Sequence, residues 1–239
     1  MTLSREHSRR NLLLAAATGA GALAVSSCSA PAKGGATAKA AVEPLATDPD
    51  HALQLLTEGN RRFVDNHAEH VDDSLARRMA VRTSQRPFAT ILSCVDSRVP
   101  VELVFDRGFG DLVVVRSAGE VLDHSVIGSL EFGAAELNTP LLMVLGHQRC
   151  GALTAAVDAF DKKSTEQGDL GYLVEALAPA VRQVSGQPGD RVTNAVRANV
   201  TLTLAQLRRS PLLGQLEKQG KLKMVGGYYA LDTGKVDMI

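Results

Sequence analysis

Three short apolar runs, each alternating with a helical pattern, limit the fold of this chain more than any other feature. They are residues 87–95 (PFATILSCV), 112–119 (LVVVRSAG) and 141–147 (LLMVLGH). A strand that is apolar at successive positions is buried on both faces, as in parallel sheets covered by helices. The pattern therefore predicts an α/β fold with a mainly parallel central sheet flanked by helices.

Helical segments surround these strands. Apolar residues recur at helical spacing in the segments 51–66, 74–83, 126–138, 151–160, 172–184 and 191–210. The first of them predicts an N-terminal helical arm. Pro179 predicts an interruption of the fifth helix. Residues 222–236 predict a further strand, a turn and a short return strand.

The first 30 residues predict a secretory signal peptide that is separate from the fold. Arg9 and Arg10 precede the uncharged run 12–25, and these 14 residues are fewer than the about 20 that a membrane span needs. The paired arginines and the weakly hydrophobic Ala/Gly run resemble a twin-arginine export signal. We therefore expect an exported protein that acts outside the cytoplasmic membrane.

The end of this segment also predicts a lipid anchor. The stretch VSSC ends at Cys28 and resembles a bacterial lipobox, so Cys28 is the expected lipidation site and would tether the protein to the membrane. Cleavage near residue 30 without a lipid is the alternative. Residues 31–47, rich in Ala, Gly, Lys and Pro, predict a flexible linker, and residues 48–239 predict one globular domain.

Composition argues against nucleic acid as a partner. Lysine and arginine total 26, as do aspartate and glutamate, so no basic excess is available for phosphates. The chain has no tryptophan and only 4% aromatic residues, which argues against a base-stacking platform. Nucleic acid is therefore not expected as a partner.

Three potential metal ligands follow two of the predicted strands. Cys94 lies at the end of the first run, and His147 and Cys150 lie at the end of the third. Sites in open α/β sheets gather at the carboxyl ends of strands, so we expect these side chains to meet. Two thiolates and one imidazole with an open fourth position are typical of catalytic zinc. A Cys94–Cys150 disulfide is the alternative in an exported protein, and it leaves His147 unexplained. His124, the nearest further histidine, is expected to be exposed.

The stretch CVDSRVP places an acidic and a basic residue close to Cys94. Asp96 follows Cys94 by two residues, and Arg98 follows Asp96 by two. A bidentate Arg–Asp pair would keep the carboxylate ionised and directed past a metal. There Asp96 could accept a hydrogen bond from zinc-bound hydroxide and orient it. A plain surface ion pair is the alternative reading.

CVDSRVP followed by HQRC, with His147 coming 53 residues after Cys94, closely resembles the β-class carbonic anhydrases. Their pattern is Cys-x-Asp-x-Arg followed by His-x-x-Cys-Gly. The resemblance extends over residues 50–236 and includes the segments LTEGNRRF, VVVRSAG, SLEFGAAELNTP and MVGGYYALDTGKV. It implies one Zn²⁺ per subunit, bound by Cys94, His147 and Cys150, with Asp96 and Arg98 as the catalytic dyad.

The resemblance also implies a substrate pocket. Gln85 matches a family glutamine in the pocket, Val113 stands where some members carry an aromatic residue, and Gly151 follows the last ligand. The implied reaction is reversible hydration of CO₂ to bicarbonate and a proton, by attack of zinc-bound hydroxide. A homodimer or homotetramer is implied, because the family builds its sites near subunit interfaces. Two alternatives remain: a zinc hydrolase acting on carbonyl sulfide or carbon disulfide, and a non-catalytic zinc-binding protein.

Overall fold

The computed structural model describes residues 45–69 and 73–239. The predicted signal peptide, the lipidation site Cys28 and nearly all of the predicted linker 31–47 lie outside these residues. Among the described residues, no helix is both long enough and apolar enough to cross a membrane.

A five-stranded sheet forms the centre of the described domain. Its strands are β1 (Ala89–Ser93), β2 (Leu112–Arg116), β3 (Leu141–His147), β4 (Lys223–Tyr229) and β5 (Val236–Met238). They are ordered β2-β1-β3-β4-β5, so β2 and β5 are the edge strands. The first four are mutually parallel, and β5 pairs antiparallel to β4. This arrangement confirms the predicted mainly parallel α/β fold.

Eight α-helices accompany the sheet in the part of the chain that the structure describes. They are α1 (Pro49–Val64), α2 (Leu75–Val81), α3 (Val101–Val104), α4 (His124–Glu131), α5 (Gly151–Lys162), α6 (Gly168–Gln183), α7 (Arg191–Leu207) and α8 (Pro211–Lys218). A 3-10 turn (Ala118–Glu120) follows β2, and a π-helical segment (Phe132–Glu136) continues α4. The helix predicted at the amino end is α1.

The central strands are buried because helices cover both faces of the sheet. Every residue of β1 and β3 is buried, as their unbroken apolar sequences predict. Helix α7 packs closely against strands β3 and β4. A Cβ atom on Gly146 would lie 2.8 Å from side-chain carbons of Val196 and Val200, so only glycine fits this contact. The packed layers hold the end of β3 in a fixed position.

Two helix predictions differ from the structure. Helix α6 continues through Pro179, where the sequence predicts an interruption. Its inner face buries Leu177, Ala180 and Val181, and this packing outweighs the local cost of proline. The segment predicted as one helix over 191–210 ends at Leu207, and a separate helix begins at Pro211 with Ser210 as its N-cap.

Candidate metal centre

The parallel pairing of β1 with β3 brings the candidate ligands together. Ser93 at the end of β1 is in register with Leu145 in β3. Cys94 follows Ser93 directly, His147 is the last residue of β3, and Cys150 is the N-cap of α5. All three are buried, with 4%, 0% and 1% of their surfaces exposed respectively. The predicted meeting of two strand ends is therefore confirmed.

The three donor atoms form a compact cluster. Each residue offers one ligand atom, and these atoms all lie within 4.8 Å of one another. The Sγ atoms of Cys94 and Cys150 are 4.0 Å apart, and both cysteines are free thiols. A disulfide would need a separation of about 2.05 Å. The structure therefore favours the metal-ligand reading over the disulfide.

The hydrogen bonding of His147 also fits a metal ligand. Its Nδ1 lies 3.0 Å from the carbonyl oxygen of Gln148, and since a carbonyl only accepts, Nδ1 carries the proton. The Nε2 atom is buried and has no hydrogen-bond partner among the described residues. Histidine ligands commonly donate one ring nitrogen to a carbonyl and bind a metal with the other. The unpartnered Nε2 is therefore available as a metal ligand.

The pKa values of the two thiols are shifted in opposite directions. The contact with Cys150 and the Gly119 N–H, which lies 3.4 Å from the sulfur, lower the pKa of Cys94 to about 4 although burial opposes the shift. The same contact and burial raise the pKa of Cys150. The pair therefore holds one proton in the absence of a cation. A divalent cation would displace that proton, since thiolates are the forms that bind zinc.

Asp96 and Arg98 form the bidentate pair that the sequence predicts. Arg98 donates from Nε to Oδ1 at 3.0 Å and from Nη2 to Oδ2 at 2.7 Å, and its backbone N–H donates to Oδ1 at 2.9 Å. These bonds lower the pKa of Asp96 to about 2. Oδ2 of Asp96 lies 3.9 Å from Nε2 of His147. An ionised carboxylate is therefore held at the edge of the ligand cluster.

Arg116 is a positioning residue that the sequence analysis did not single out. It ends β2 opposite Ser93, and its guanidinium donates to the carbonyl oxygens of Cys94 at 2.8 Å and Asp96 at 2.6 Å. These two bonds fix the backbone that carries one ligand and the carboxylate. One sequence feature could have identified Arg116. It lies at the end of an apolar strand, as Cys94 and His147 do.

The predicted pocket residues occupy two different regions. Gly151 adjoins Cys150 and, with Ala118, lines a largely apolar cavity of about 350 Å³. Val113 pairs with Thr90, four residues before Cys94, which corresponds to about 13 Å along a strand. Gln85 is exposed and precedes the start of β1, at the end of the strand opposite to Cys94.

His124 takes no part in the ligand cluster. It is exposed at the start of α4, which Asp123 caps by accepting a hydrogen bond from the backbone of Val126. Within residues 45–69 and 73–239, the cluster of potential ligands consists of Cys94, His147 and Cys150. The prediction of an exposed histidine here is confirmed.

A parallel α/β sheet with a Cys-His-Cys cluster at its strand ends is typical of an α/β metalloenzyme. The family model described as carbonic anhydrase matches residues 89–236. Carbonic anhydrase 2 of Mycobacterium tuberculosis is 40% identical over 190 residues, covering 79% of this chain and 92% of that protein. Carbonic anhydrase of Mycolicibacterium smegmatis is 37% identical over 193 residues, covering 80% and 94% respectively.

Solved structures support the same fold. The tetrameric β-carbonic anhydrases of Sordaria macrospora give a TM-score of 0.62 at 18% identity, covering 78% of this chain and 96% of theirs. The Coccomyxa β-carbonic anhydrase in complex with acetazolamide gives 0.61 at 24% identity, covering 78% and 86%. The chain belongs to the β class of the carbonic anhydrase family.

Replacing Arg116 tests its positioning role. Arg116→Ala removes both bonds to the Cys94–Asp96 backbone, and we expect zinc affinity to fall about 10- to 100-fold, as for other residues that orient ligands. Competition with a chromophoric chelator measures the affinity, and circular dichroism checks the fold. Arg182→Ala, at an exposed position on α6, is the matched control and should bind zinc like the parent. Unchanged affinity in Arg116→Ala would contradict the role.

Proposed function

We propose that this protein catalyses the reversible hydration of CO₂ to bicarbonate and a proton, as a zinc-dependent carbonic anhydrase. The observation that carries this function is the buried Cys94, His147 and Cys150 cluster beside the Asp96–Arg98 pair, in a chain of the carbonic anhydrase family. A purely structural metal site does not need an ionised carboxylate at its edge. The arrangement therefore favours catalysis over metal storage.

The residues present suit zinc. Cys94, His147 and Cys150 would hold the ion, and their two sulfurs and one nitrogen leave a fourth position of a tetrahedral shell open. Zinc, when bound, supplies Lewis acidity that lowers the pKa of water to about 7. The two thiolates balance the charge of the ion, which makes the neighbouring carboxylate more important for orienting the nucleophile.

Asp96 orients the reacting water. Its carboxylate is ionised at pH values above about 2, so across the working range it only accepts hydrogen bonds. Arg98 occupies both oxygens from one side and restricts the direction in which the carboxylate can accept a further bond. The attacking water thus donates to Asp96 and keeps its lone pair directed at CO₂.

An apolar wall holds the substrate. The cavity that Gly151 and Ala118 line also contains the side chains of Leu173 and Val174 from α6. CO₂ has no net dipole and gains from contact with apolar surface, whereas bicarbonate is charged and favours water. The wall therefore admits the substrate and favours release of the product.

A second copy of the chain completes the pocket. Gln85 and Val113 lie towards the opposite end of β1 from the metal ligands, so within one chain they do not border the cluster. Val113 belongs to the edge strand β2, whose residues are less buried than those of β1. This surface suits a partner subunit. We propose a homodimer or homotetramer in which each copy contributes Gln85 and Val113 to the other's site.

The protein is proposed to act outside the cytoplasmic membrane. Support comes from the paired Arg9 and Arg10, the uncharged run 12–25 and the VSSC stretch that ends at Cys28. Export of a folded, zinc-loaded domain is consistent with a site made of two free thiols. A lipid on Cys28 would tether the domain through the linker 31–47.

Removing one ligand or the carboxylate tests the function. Cys150→Ser is expected to lose both zinc and CO₂ hydration, while Cys28→Ser, a matched control, keeps both. Asp96→Asn should retain zinc but hydrate CO₂ about 10- to 100-fold more slowly, because only the orienting group is changed. Metal analysis and stopped-flow hydration give the two readouts. Hydrolysis of carbonyl sulfide without CO₂ hydration would assign the site to a different substrate.

Mixed assemblies test the exchange of Gln85. Gln85→Leu and Cys150→Ser chains with different tags are co-expressed, and the mixed dimer is purified. If Gln85 acts across the interface, the Gln85→Leu chain receives a native glutamine from its partner, and one site of two is complete. The mixed dimer should then show about half of the parent activity, well above either variant alone. Activity no higher than that of the two variants would contradict the exchange.

Export is tested by fractionation of a host that has the twin-arginine route. Replacing Arg9 and Arg10 by lysine should leave the protein in the cytoplasm at its unprocessed mass, because the paired arginines are the recognised feature. Cys28→Ser should still be exported but should leave the membrane fraction. Mass spectrometry and activity of the fractions measure both effects. Processing that is the same in all three proteins would argue against both the signal and the lipid.

A further inference from the structure

Glu120 is a buried acid that the catalytic site does not use. It is 1% exposed and ends the 3-10 turn after β2 with a backbone φ of +55°. Its Oε1 atom is buried and has no hydrogen-bond partner among the described residues. Its Oε2 atom receives one long bond, 3.4 Å from Nδ2 of Asn199, which also donates to the carbonyl of Gly119 at 2.8 Å. A buried polar atom without a partner is costly to folding, so it points to a missing hydrogen-bonding partner.

This carboxyl group lines a cavity of its own. The cavity has a volume of about 300 Å³ and lies between the 3-10 turn and helices α6 and α7. Leu177, Pro179 and Leu202 supply apolar wall, and Thr203 adds a hydroxyl. The lining residues are distinct from those of the cavity beside Gly151. A small molecule with one polar end and one apolar end matches this lining.

The electrostatic environment of Glu120 indicates which polar group such a molecule should carry. Burial raises the pKa of Glu120 well above its usual range, so the charged form of this carboxyl group is destabilised unless a cation compensates it. Arg209 also lines the cavity, but it is exposed, and no ion pair joins it to Glu120 within the described residues. A group with several N–H donors and a positive charge would satisfy Oε1 and stabilise the carboxylate.

We propose that this cavity binds a small primary amine, with its nitrogen on Glu120 and its alkyl chain against Leu177 and Pro179. A neutral amine takes the carboxyl proton and forms an ammonium–carboxylate pair, so no further reactant is needed. An amine that arrives as an ammonium ion releases the carboxyl proton to solvent instead. The ammonium donates to Oε1, and Asn199 keeps its bond to Oε2.

The cavity is linked to the metal centre by a short series of contacts. Asn199 joins Glu120 to the carbonyl of Gly119, and the N–H of Gly119 lies 3.4 Å from the sulfur of Cys94. A ligand on Glu120 therefore acts on a residue that contacts a metal ligand. We expect a ligand in this cavity to change the environment of Cys94 without blocking access to the catalytic site.

Calorimetry on the zinc-loaded full chain tests the proposal. The probe is n-butylamine, and 1-butanol and butyrate are the comparison compounds, one lacking the charge and the other carrying the opposite charge. We expect saturable binding of n-butylamine and much weaker binding of the other two. Glu120→Gln keeps the size of the side chain but cannot form the ion pair, so affinity should fall at least about tenfold. Glu175→Gln, on the exposed face of α6, is the matched control and should bind like the parent.

A second variant separates binding from folding. Ala176 lines the cavity and is exposed, so Ala176→Phe should fill the space while leaving Glu120 in place, and it should also abolish binding. It decides the question if Glu120→Gln does not fold, as judged by circular dichroism. Absence of saturable n-butylamine binding, equal binding by Ala176→Phe, equal binding by a folded Glu120→Gln, or preference for butyrate would each overturn the proposal.

Discussion

The parallel pairing of β1 with β3 is the constraint on which the rest of the structure depends. It sets Ser93 beside Leu145, so Cys94 and His147 leave the sheet at the same end and on neighbouring strands. The fully buried sequences of both strands and the close packing of α7 on Gly146 prevent a shift of register. A shift by one residue would move one ligand by about 3.3 Å and break the cluster.

The loops that follow these strands place the functional groups of the site. Cys94 and Asp96 belong to a loop whose carbonyls are held by Arg116 from a third strand, while Cys150 is fixed as the N-cap of α5. The carboxylate of Asp96 is held by Arg98 from within the same loop. Preorganisation of this kind means that the site need not rearrange to receive a cation, because the positions are fixed by backbone contacts rather than by the ion.

The sequence predicted the features that local patterns encode. Unbroken apolar runs predicted the parallel sheet, and the residues at their ends predicted the ligand cluster and the Asp96–Arg98 pair. Arg116 was not singled out, since its role depends on a strand register that only pairing reveals. The continuity of α6 through Pro179 depends on tertiary packing, which local propensity does not contain. Gln85 lies at the opposite end of β1 from Cys94, and no pattern within one chain determines its proposed place beside the site of a second copy. The unsatisfied carboxyl of Glu120 appears only once burial is known.

The contact between the Gly119 N–H and the sulfur of Cys94 has a consequence for how the enzyme sets its reactivity. A hydrogen bond to a thiolate withdraws electron density from it, so the sulfur donates less to a cation and leaves that cation more electrophilic. Gly119 adopts a φ of +63°, and a Cβ there would lie 2.9 Å from Leu177, so this donor depends on the absence of a side chain. One peptide group in a tight turn would thus tune the Lewis acidity of a zinc ion held by this cluster, and the position of this donor is set by the backbone alone.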